Sequence, residues 1–494
     1  MLVMRDSYWT KLEGDRKHVL ITKRLMKRGG DVLPEVIKLN VYTSKERRIK
    51  RAPISDSQFL VDNDGVPRFA VGTDKNNDTK IYYSKGKGED WQPFEKSVEN
   101  EFTPLSFSDD NKSVYALKGD AKKPQGLYRY DLESSKETLL YRSEIADPSY
   151  AISSDLNEVY GLRIDEDYPT YIFIKLDTQE AKLHKALITA FNGDSVQITS
   201  KTEDGKLMVV HVSGDKNPGS FYLFNTETMS ARFLLASNKR IDSKALGNSE
   251  PFRVKTKDGL VLNGYITLPK GKTNNLPTVV LPHGGPHHRD YWSYDPLVQM
   301  LANEGYAIVQ VNFRGSTGYG KWGTAIQDDI NLALQYAIQT GVTNKDKVCI
   351  FGASFGGYSA LQSAIRYPNT YQCAIGYVGV YDLPMMYNEG DIKSTKWGDA
   401  YLNKTLGLSE EEQKAQSPVY NLDKLIAPVL IIHGEEDQRA HFEHALALKE
   451  GLDKKGHSYE WLVKEKEGHG FYNEDNILEA NKKILSFLDK YIGQ

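Results

Sequence analysis

Between residues 39 and 235 the chain repeats itself. Five β-prone runs, LNVYTSKERRI, IYYSKGKGEDW, YRYDLESSKETLL, IKLDTQEAKLH and LFNTETMSARFLL, place turns at Thr43, Lys85, Leu132, Thr178 and Thr226, a period of 42 to 48 residues. That is the length of one four-stranded propeller blade. A second phase, LSFSDDNKSVYAL, YAISSDLNEVYGL and ITSKTEDGKLMVV, recurs with a similar step. Two phases sharing one period constrain this half to radial repetition, because a β-sandwich has no reason to keep either. The expectation is a β-propeller over residues 1–245 with about five recognisable blades.

From about Pro251 the texture changes to strands alternating with helices, the pattern of an α/β domain with a largely parallel sheet. Strands are predicted over 278–281, 306–311, 348–351, 374–378, 429–432 and 459–463, and helices over 324–339, 358–366, 441–452 and 477–492. In the last helix Ile477, Ala480, Ile484, Leu488 and Tyr491 fall on one face. A chain of 494 residues exceeds what one core usually serves. The reading is therefore multi-domain, a propeller followed by an α/β-hydrolase domain over 246–494.

Inside that second half, Gly352-Ala353-Ser354-Phe355-Gly356 fits G-x-S-x-G between a strand and an alanine-rich helix, the setting of a nucleophile elbow. Only glycines fit two residues either side of so tight a turn, which exposes Ser354 at the top of the sheet. Its hydroxyl is a weak nucleophile and needs a base and a carboxylate, in the chain order Ser, Asp/Glu, His. His433-Gly434-Glu435-Glu436-Asp437 and Glu467-Gly468-His469-Gly470 each follow a predicted strand, so both open onto the same crevice. Pro282-His283-Gly284-Gly285-Pro286 resembles the oxyanion loop of lipases and esterases. The N–H of Phe355 is the second expected oxyanion donor.

Composition excludes several classes. Net charge is −3 with both signs mixed along the chain, so there is no nucleic-acid footprint. The basic run 45–51 reads as a solvated strand edge. No apolar stretch approaches bilayer length and no charged n-region precedes an apolar core at the start, so no membrane partner is expected and the chain as written reads as cytoplasmic. The two cysteines, Cys349 and Cys373, lie in apolar strand-like runs and read as reduced core residues. Neither a metal nor a cofactor is expected.

HGGP, NFRGSTGYG (312–320), GASFGGY, VGVYDL (378–383), HGEEDQR and EGHGF together resemble the prolyl oligopeptidase family of serine peptidases, in the branch of acylaminoacyl and dipeptidyl peptidases. The resemblance covers nearly the whole chain. It implies Ser354 as nucleophile, Asp437 as orienting acid, His469 as general base and Gly285 as oxyanion donor. It further implies that Arg439 binds a substrate carbonyl and that Phe355, Val378 and Tyr381 line an apolar pocket for the residue before the scissile bond. Short peptides are the implied substrates. Two features depart from the family pattern: Ala440-His441 replaces Val-Pro after the arginine, and five blades stand where seven or eight are usual. A propeller truncated at its start would place the protein in the periplasm or outside the cell. Its open strand edges would also invite association as a homo-oligomer.

Competing readings are a carboxylic ester hydrolase on the same fold and an inactive propeller scaffold. His283, His287 and His288 have no carboxylate or cysteine at ligand spacing and read as loop structure. His441 and His444 read as a partly exposed helix face, His457 as a turn residue and His433 as packing beneath the Asp437 loop. Glu435 and Glu436 are lesser candidates for the acid. Arg314 is expected to brace its loop, whose turns Gly315, Gly318 and Gly320 would shape.

Overall fold

The computed structural model describes residues 9–12, 14–24, 33–94, 102–120, 123–154, 158–191, 193–317, 325–395, 397–407 and 409–493. The chain divides into two compact units, Met1–Ile164 with Tyr171–Lys182, and Asp165–Thr170 with Leu183–Gln494.

Five small meanders follow one another in chain order and are the blades of a five-bladed β-propeller. The first is Trp9–Lys11, His18–Lys23, Glu35–Asn40 and Glu46–Arg51, and the second Gln58–Val61, Pro67–Thr73, Thr79–Tyr83 and Gln92–Pro93. The third is Phe102–Phe107, Ser113–Asp120, Lys123–Asp131 and Glu137–Arg142, and the fifth Ser195–Lys201, Leu207–Ser213, Ser220–Asn225 and Ser230–Ala236. Alternation drives them: in Leu207–Ser213, Met208, Val210 and Val212 are buried and their neighbours are not. The basic run falls on the edge strand Glu46–Arg51, where Arg48 pairs with Glu35 at 3.1 Å and Glu46 with Lys23 at 2.6 Å.

The fourth blade differs from the sequence expectation. It has three strands, Pro148–Ser153, Val159–Asp165 and Pro169–Phe173, and the run aligned with the fourth strand of the other blades forms the helix Gln179–Ala190. Local propensity explains the change, since Gln179-Glu180-Ala181-Lys182-Leu183 are strong helix formers without a β-branched residue. Ala181, His184 and Leu187 then recur at helical spacing and are buried.

The second unit holds an eight-stranded sheet in the order Asn248–Lys255, Val261–Leu268, Ala307–Asn312, Leu276–Val280, Thr343–Ala353, Cys373–Tyr377, Val429–Gly434, Tyr459–Lys464. From Ala307–Asn312 onward neighbours are parallel. Such strands need cover on both faces, and their residues alternate accordingly. Val280, Val309, Ile350, Ala374 and Ile431 join one core with the helices Ile326–Gln339, Phe355–Arg366 and Glu443–Lys455. Val279, Ile308, Phe351, Ile375 and Leu430 join the other with Pro296–Asn303 and Glu474–Ile492. In the last helix the buried face is Ala480, Ile484, Phe487, Leu488 and Ile492, while Ile477, expected inside, is 38% exposed. The strand order reverses beside Leu276–Val280, so the loops after that strand and after Thr343–Ala353 border a crevice at the carboxyl ends, where such sheets bind ligands.

Cys349 and Cys373 are registered neighbours on adjacent parallel strands, fully buried, with Cα atoms 4.7 Å apart. They are joined as a disulfide, which corrects the expectation of two reduced thiols: each cysteine alone reads as a small core residue, and only the strand register opposes them. Thiol titration of the unreduced, denatured protein should find none free. Two reactive thiols per chain would contradict the pairing.

Candidate active site

Gly352 and Gly356 fix the turn on which Ser354 stands. A Cβ at Gly352 would lie 2.2 Å from the Gly356 carbonyl, and one at Gly356 would lie 2.3 Å from that of Pro282. Ser354 itself takes φ 58 and ψ −122, a left-handed region costly for a side chain, and leads directly into the helix Phe355–Arg366. Its N–H donates to Tyr377 O at 2.9 Å and its carbonyl accepts from Tyr358 N at 3.1 Å, which hold the strained residue in place.

Three side chains that are distant in sequence meet here. Ser354 Oγ lies 2.9 Å from His469 Nε2, and His469 Nδ1 lies 2.8 Å from Asp437 Oδ2. Since the carboxylate can only accept, the proton of His469 sits on Nδ1 and Nε2 is open to receive the serine hydroxyl proton. The other oxygen of Asp437 accepts the backbone N–H groups of Arg439 at 2.8 Å and Ala440 at 3.0 Å. Burial would raise the Asp437 carboxyl, but the hydrogen bonds from His433 and His469, the charge of His469 and the Arg439 N–H outweigh it and hold it well below the usual carboxylate range. Glu435 and Glu436 are exposed and join no such arrangement.

A cavity of about 390 Å³ opens beside the serine, lined by Gly285, Phe355, Val380, Leu383, Trp397 and Tyr401 among others. Gly285 and Phe355, the expected oxyanion donors, both border the space next to Ser354, and the Phe355 N–H lies at the positive end of its helix. Val378 and Tyr381 do not line it. They are 3% and 0% exposed, and Tyr381 packs its ring and hydroxyl against Gly376 and Gly379 instead. Their neighbours Val380 and Leu383 take the expected place, because proximity in sequence to VGVYDL does not say which side chains turn outward.

Arg439 borders the cavity, yet its guanidinium is engaged: Nε lies 2.6 Å from Asp391 Oδ1 and Nη2 donates to Oδ2 at 2.8 Å. Asp391 in turn donates its N–H to Gln438 O at 2.7 Å. No spacing in the sequence marks Asp391 as the partner.

The other histidines have structural positions. His283 is buried, stacked on Phe313 with ring centroids 4.1 Å apart, with Nε2 2.7 Å from Ser316 Oγ. His287 Nδ1 is 3.1 Å from Gly315 O, and His457 Nε2 is 2.9 Å from Ala427 O. His444 is fully buried rather than half-exposed, while His441 precedes the helix and pairs with Glu443. Arg314 braces its loop through Asp329, with Nε and Nη2 each at 2.8 Å, and through Asp258 at 3.1 Å. Gly318 and Gly320 lie outside the described residues.

Asp290 closes the HGGPHHRD segment and was not marked by any motif. Its N–H donates to Asn312 Oδ1 at 2.7 Å and its carbonyl accepts from Asn312 Nδ2 at 3.1 Å, which ties the glycine-rich loop to the strand Ala307–Asn312. Gln310 Nε2 donates to Oδ1 at 2.8 Å, and Oδ2 is buried without a hydrogen-bond partner among the described residues. Burial, then the charge of Asp295, push this carboxyl up to about 7 against the Gln310 hydrogen bond and the Arg289 charge.

The fold and this crevice define an α/β-hydrolase domain preceded by propeller blades. Residues 292–494 match the prolyl oligopeptidase family, a family of serine-type peptidases. It is 25% identical over 487 residues to dipeptidyl aminopeptidase BIII of Pseudoxanthomonas mexicana, covering 93% of this chain and 70% of that one. It is 30% identical over 234 residues to the acylamino-acid-releasing enzyme of Mus musculus, covering 44% of this chain and 32% of that one. A puromycin-hydrolyzing peptidase of Mycobacterium tuberculosis shares the fold, with a TM-score of 0.75, 17% identity and coverage of 99% of this chain and 79% of that one.

A carboxyl whose folded-state value is raised binds its proton more tightly folded than unfolded. Stability therefore falls as pH rises from the unfolded value of about 4 to the folded value. Asp290→Asn carries no charge and lacks this fall. Its thermal midpoint relative to the wild type should rise by several degrees between pH 5 and pH 8; a constant difference would show that Asp290 ionises normally.

Proposed function

We propose that the chain is a serine peptidase that cleaves short peptides near their amino terminus through an acyl-enzyme on Ser354. The observation that carries this is the continuous hydrogen-bonded line from Ser354 Oγ through His469 to Asp437, at 2.9 and 2.8 Å, beside an apolar cavity. His469 Nε2 takes the serine proton as Oγ attacks the carbonyl carbon, and Asp437 stays ionised against the imidazolium. The N–H groups of Phe355 and Gly285 receive the developing oxyanion, each such donor being worth roughly 3–4 kcal/mol in the transition state. His469 then gives the proton to the leaving amine. Water, activated by the same imidazole, releases the acid.

The cavity suits an apolar side chain on the residue that supplies the carbonyl. Its walls offer Phe355, Val380, Leu383, Met386, Ile392 and Trp397, with Ser354, His469, Arg439 and Thr405 among the few polar residues that line it. Cleavage near the amino terminus is the mode named by both sequence relatives, one removing dipeptides and the other N-acylated residues.

The test is hydrolysis of two anilides with an aromatic residue before the scissile bond, one N-acetylated and one a free dipeptide. Ser354→Ala should lower turnover by about 10⁶-fold with the thermal midpoint little changed. Wild-type turnover in that variant would refute the nucleophile. Arg439→Ala should lower kcat/KM on the peptide anilides by roughly tenfold or more, the loss of one charged hydrogen bond, and leave a small acetate ester nearly untouched. Equal losses on both would remove the carbonyl contact from the account, and turnover of the ester alone would establish the esterase reading.

A further inference from the structure

Two buried histidines lie behind the triad and no step above uses them. His433 is on the strand Val429–Gly434, four residues before Asp437, and His444 is on the helix Glu443–Lys455; both are 0% exposed. His433 Nε2 lies 2.8 Å from Ala440 O. A carbonyl only accepts, so this nitrogen carries the hydrogen. The same N–H lies 3.3 Å from Asp437 Oδ2, the oxygen that takes the His469 Nδ1 hydrogen at 2.8 Å. The Asp437 carboxylate thus accepts two backbone N–H groups on Oδ1, while Oδ2 takes the His469 Nδ1 hydrogen and has the His433 Nε2 nitrogen at 3.3 Å.

His444 fixes the other end of the arrangement. Its Nδ1 accepts the N–H groups of Tyr381 and Asp382, both at 3.3 Å, so its hydrogen is on Nε2. His433 Nδ1 and His444 Nε2 are both buried without a hydrogen-bond partner among the described residues, the first an acceptor and the second a donor. They are close enough for the charge of one to act on the other.

We propose that His433 is a positioning residue of the triad: its Nε2–H shares Asp437 Oδ2 with His469 and so fixes the carboxylate, and through it the imidazole, for proton transfer from Ser354. The inference rests on the serine-peptidase reading. The titratable groups facing this pocket are Asp437 and His469 from their loops, and His444 and His441 from the helix side. Burial first, and then the charges of His433 and His441, push His444 down to about 3, so His444 carries no positive charge at neutral pH.

His433→Phe keeps the ring volume and removes the donor, whereas His433→Gln returns an amide N–H near the Nε2 position. On the peptide anilide, His433→Phe should lower kcat roughly 10- to 100-fold, the scale of one hydrogen bond to a charged group, with KM changed less than about twofold. The acid limb of its pH profile should move to higher pH, because a carboxylate with one donor fewer holds the His469 imidazolium more tightly. His433→Gln should restore most of kcat and the wild-type limb. His433→Asn, too short to reach Asp437, replaces the phenylalanine variant if that fails to fold, with the same expectations. The proposal is overturned if the variant without the donor keeps its kcat and acid limb, or if both variants lose activity equally and in step with thermal stability. Ser354→Ala in the same assay separates the two failures: a wild type that does not turn over removes the peptidase reading itself, and one that does leaves only His433 to fail.

Discussion

The close approach of three backbone segments at Ser354 is the constraint around which the catalytic half is organised. The carbonyls of Gly356 and Pro282 come within 2.2 to 2.3 Å of where Cβ atoms would stand on Gly352 and Gly356. The elbow, the start of the next helix and the glycine-rich loop are therefore in contact through main chain alone. A left-handed serine costs of order 1–3 kcal/mol. The parallel sheet offsets it by anchoring Ser354 N to Tyr377 O on the neighbouring strand side, and the helix behind, buried from Phe355 to Ile365, leaves the turn nowhere to relax. Rigid surroundings place the hydroxyl and the candidate oxyanion donors without reorganisation during reaction, which is where electrostatic catalysis gains most.

Substrate binding and acid–base chemistry share one short turn. Arg439 gives its backbone N–H to Asp437 Oδ1 and its side chain to Asp391. A shift of the guanidinium toward a substrate is thus felt two residues away at the carboxylate that orients His469. The same carboxylate is buried and held well below the usual carboxylate range, so the turn is charged at neutral pH.

What could be read from the sequence was what local geometry or a repeat dictates. The elbow demands its glycines at fixed positions, and the blades declare themselves by period and turn, so the fold class and Ser354 followed from short windows. The fourth blade shows the limit of a period, since the alignment predicted a strand where Gln179 to Leu183 preferred a helix. Features made by chain segments far apart stayed hidden. The Cys349–Cys373 pairing depends on register between strands 24 residues apart. Asp391 meets Arg439 across 48 residues of chain, and His444 meets Tyr381 across 63. Val378 and Tyr381 belonged to the right motif, but which side chains turn toward the cavity is a property of the turn after the strand, not of the motif.

The most direct test of the central claim is the stoichiometry and site of labelling by a fluorophosphonate, which reacts only with a serine whose proton is removed by a neighbouring base. Intact-mass and peptide mapping should find one adduct per chain, on Ser354, formed above the pH at which His469 loses its proton. An unlabelled folded protein, or an adduct on any other residue, would contradict the assignment of Ser354, His469 and Asp437 as one catalytic unit.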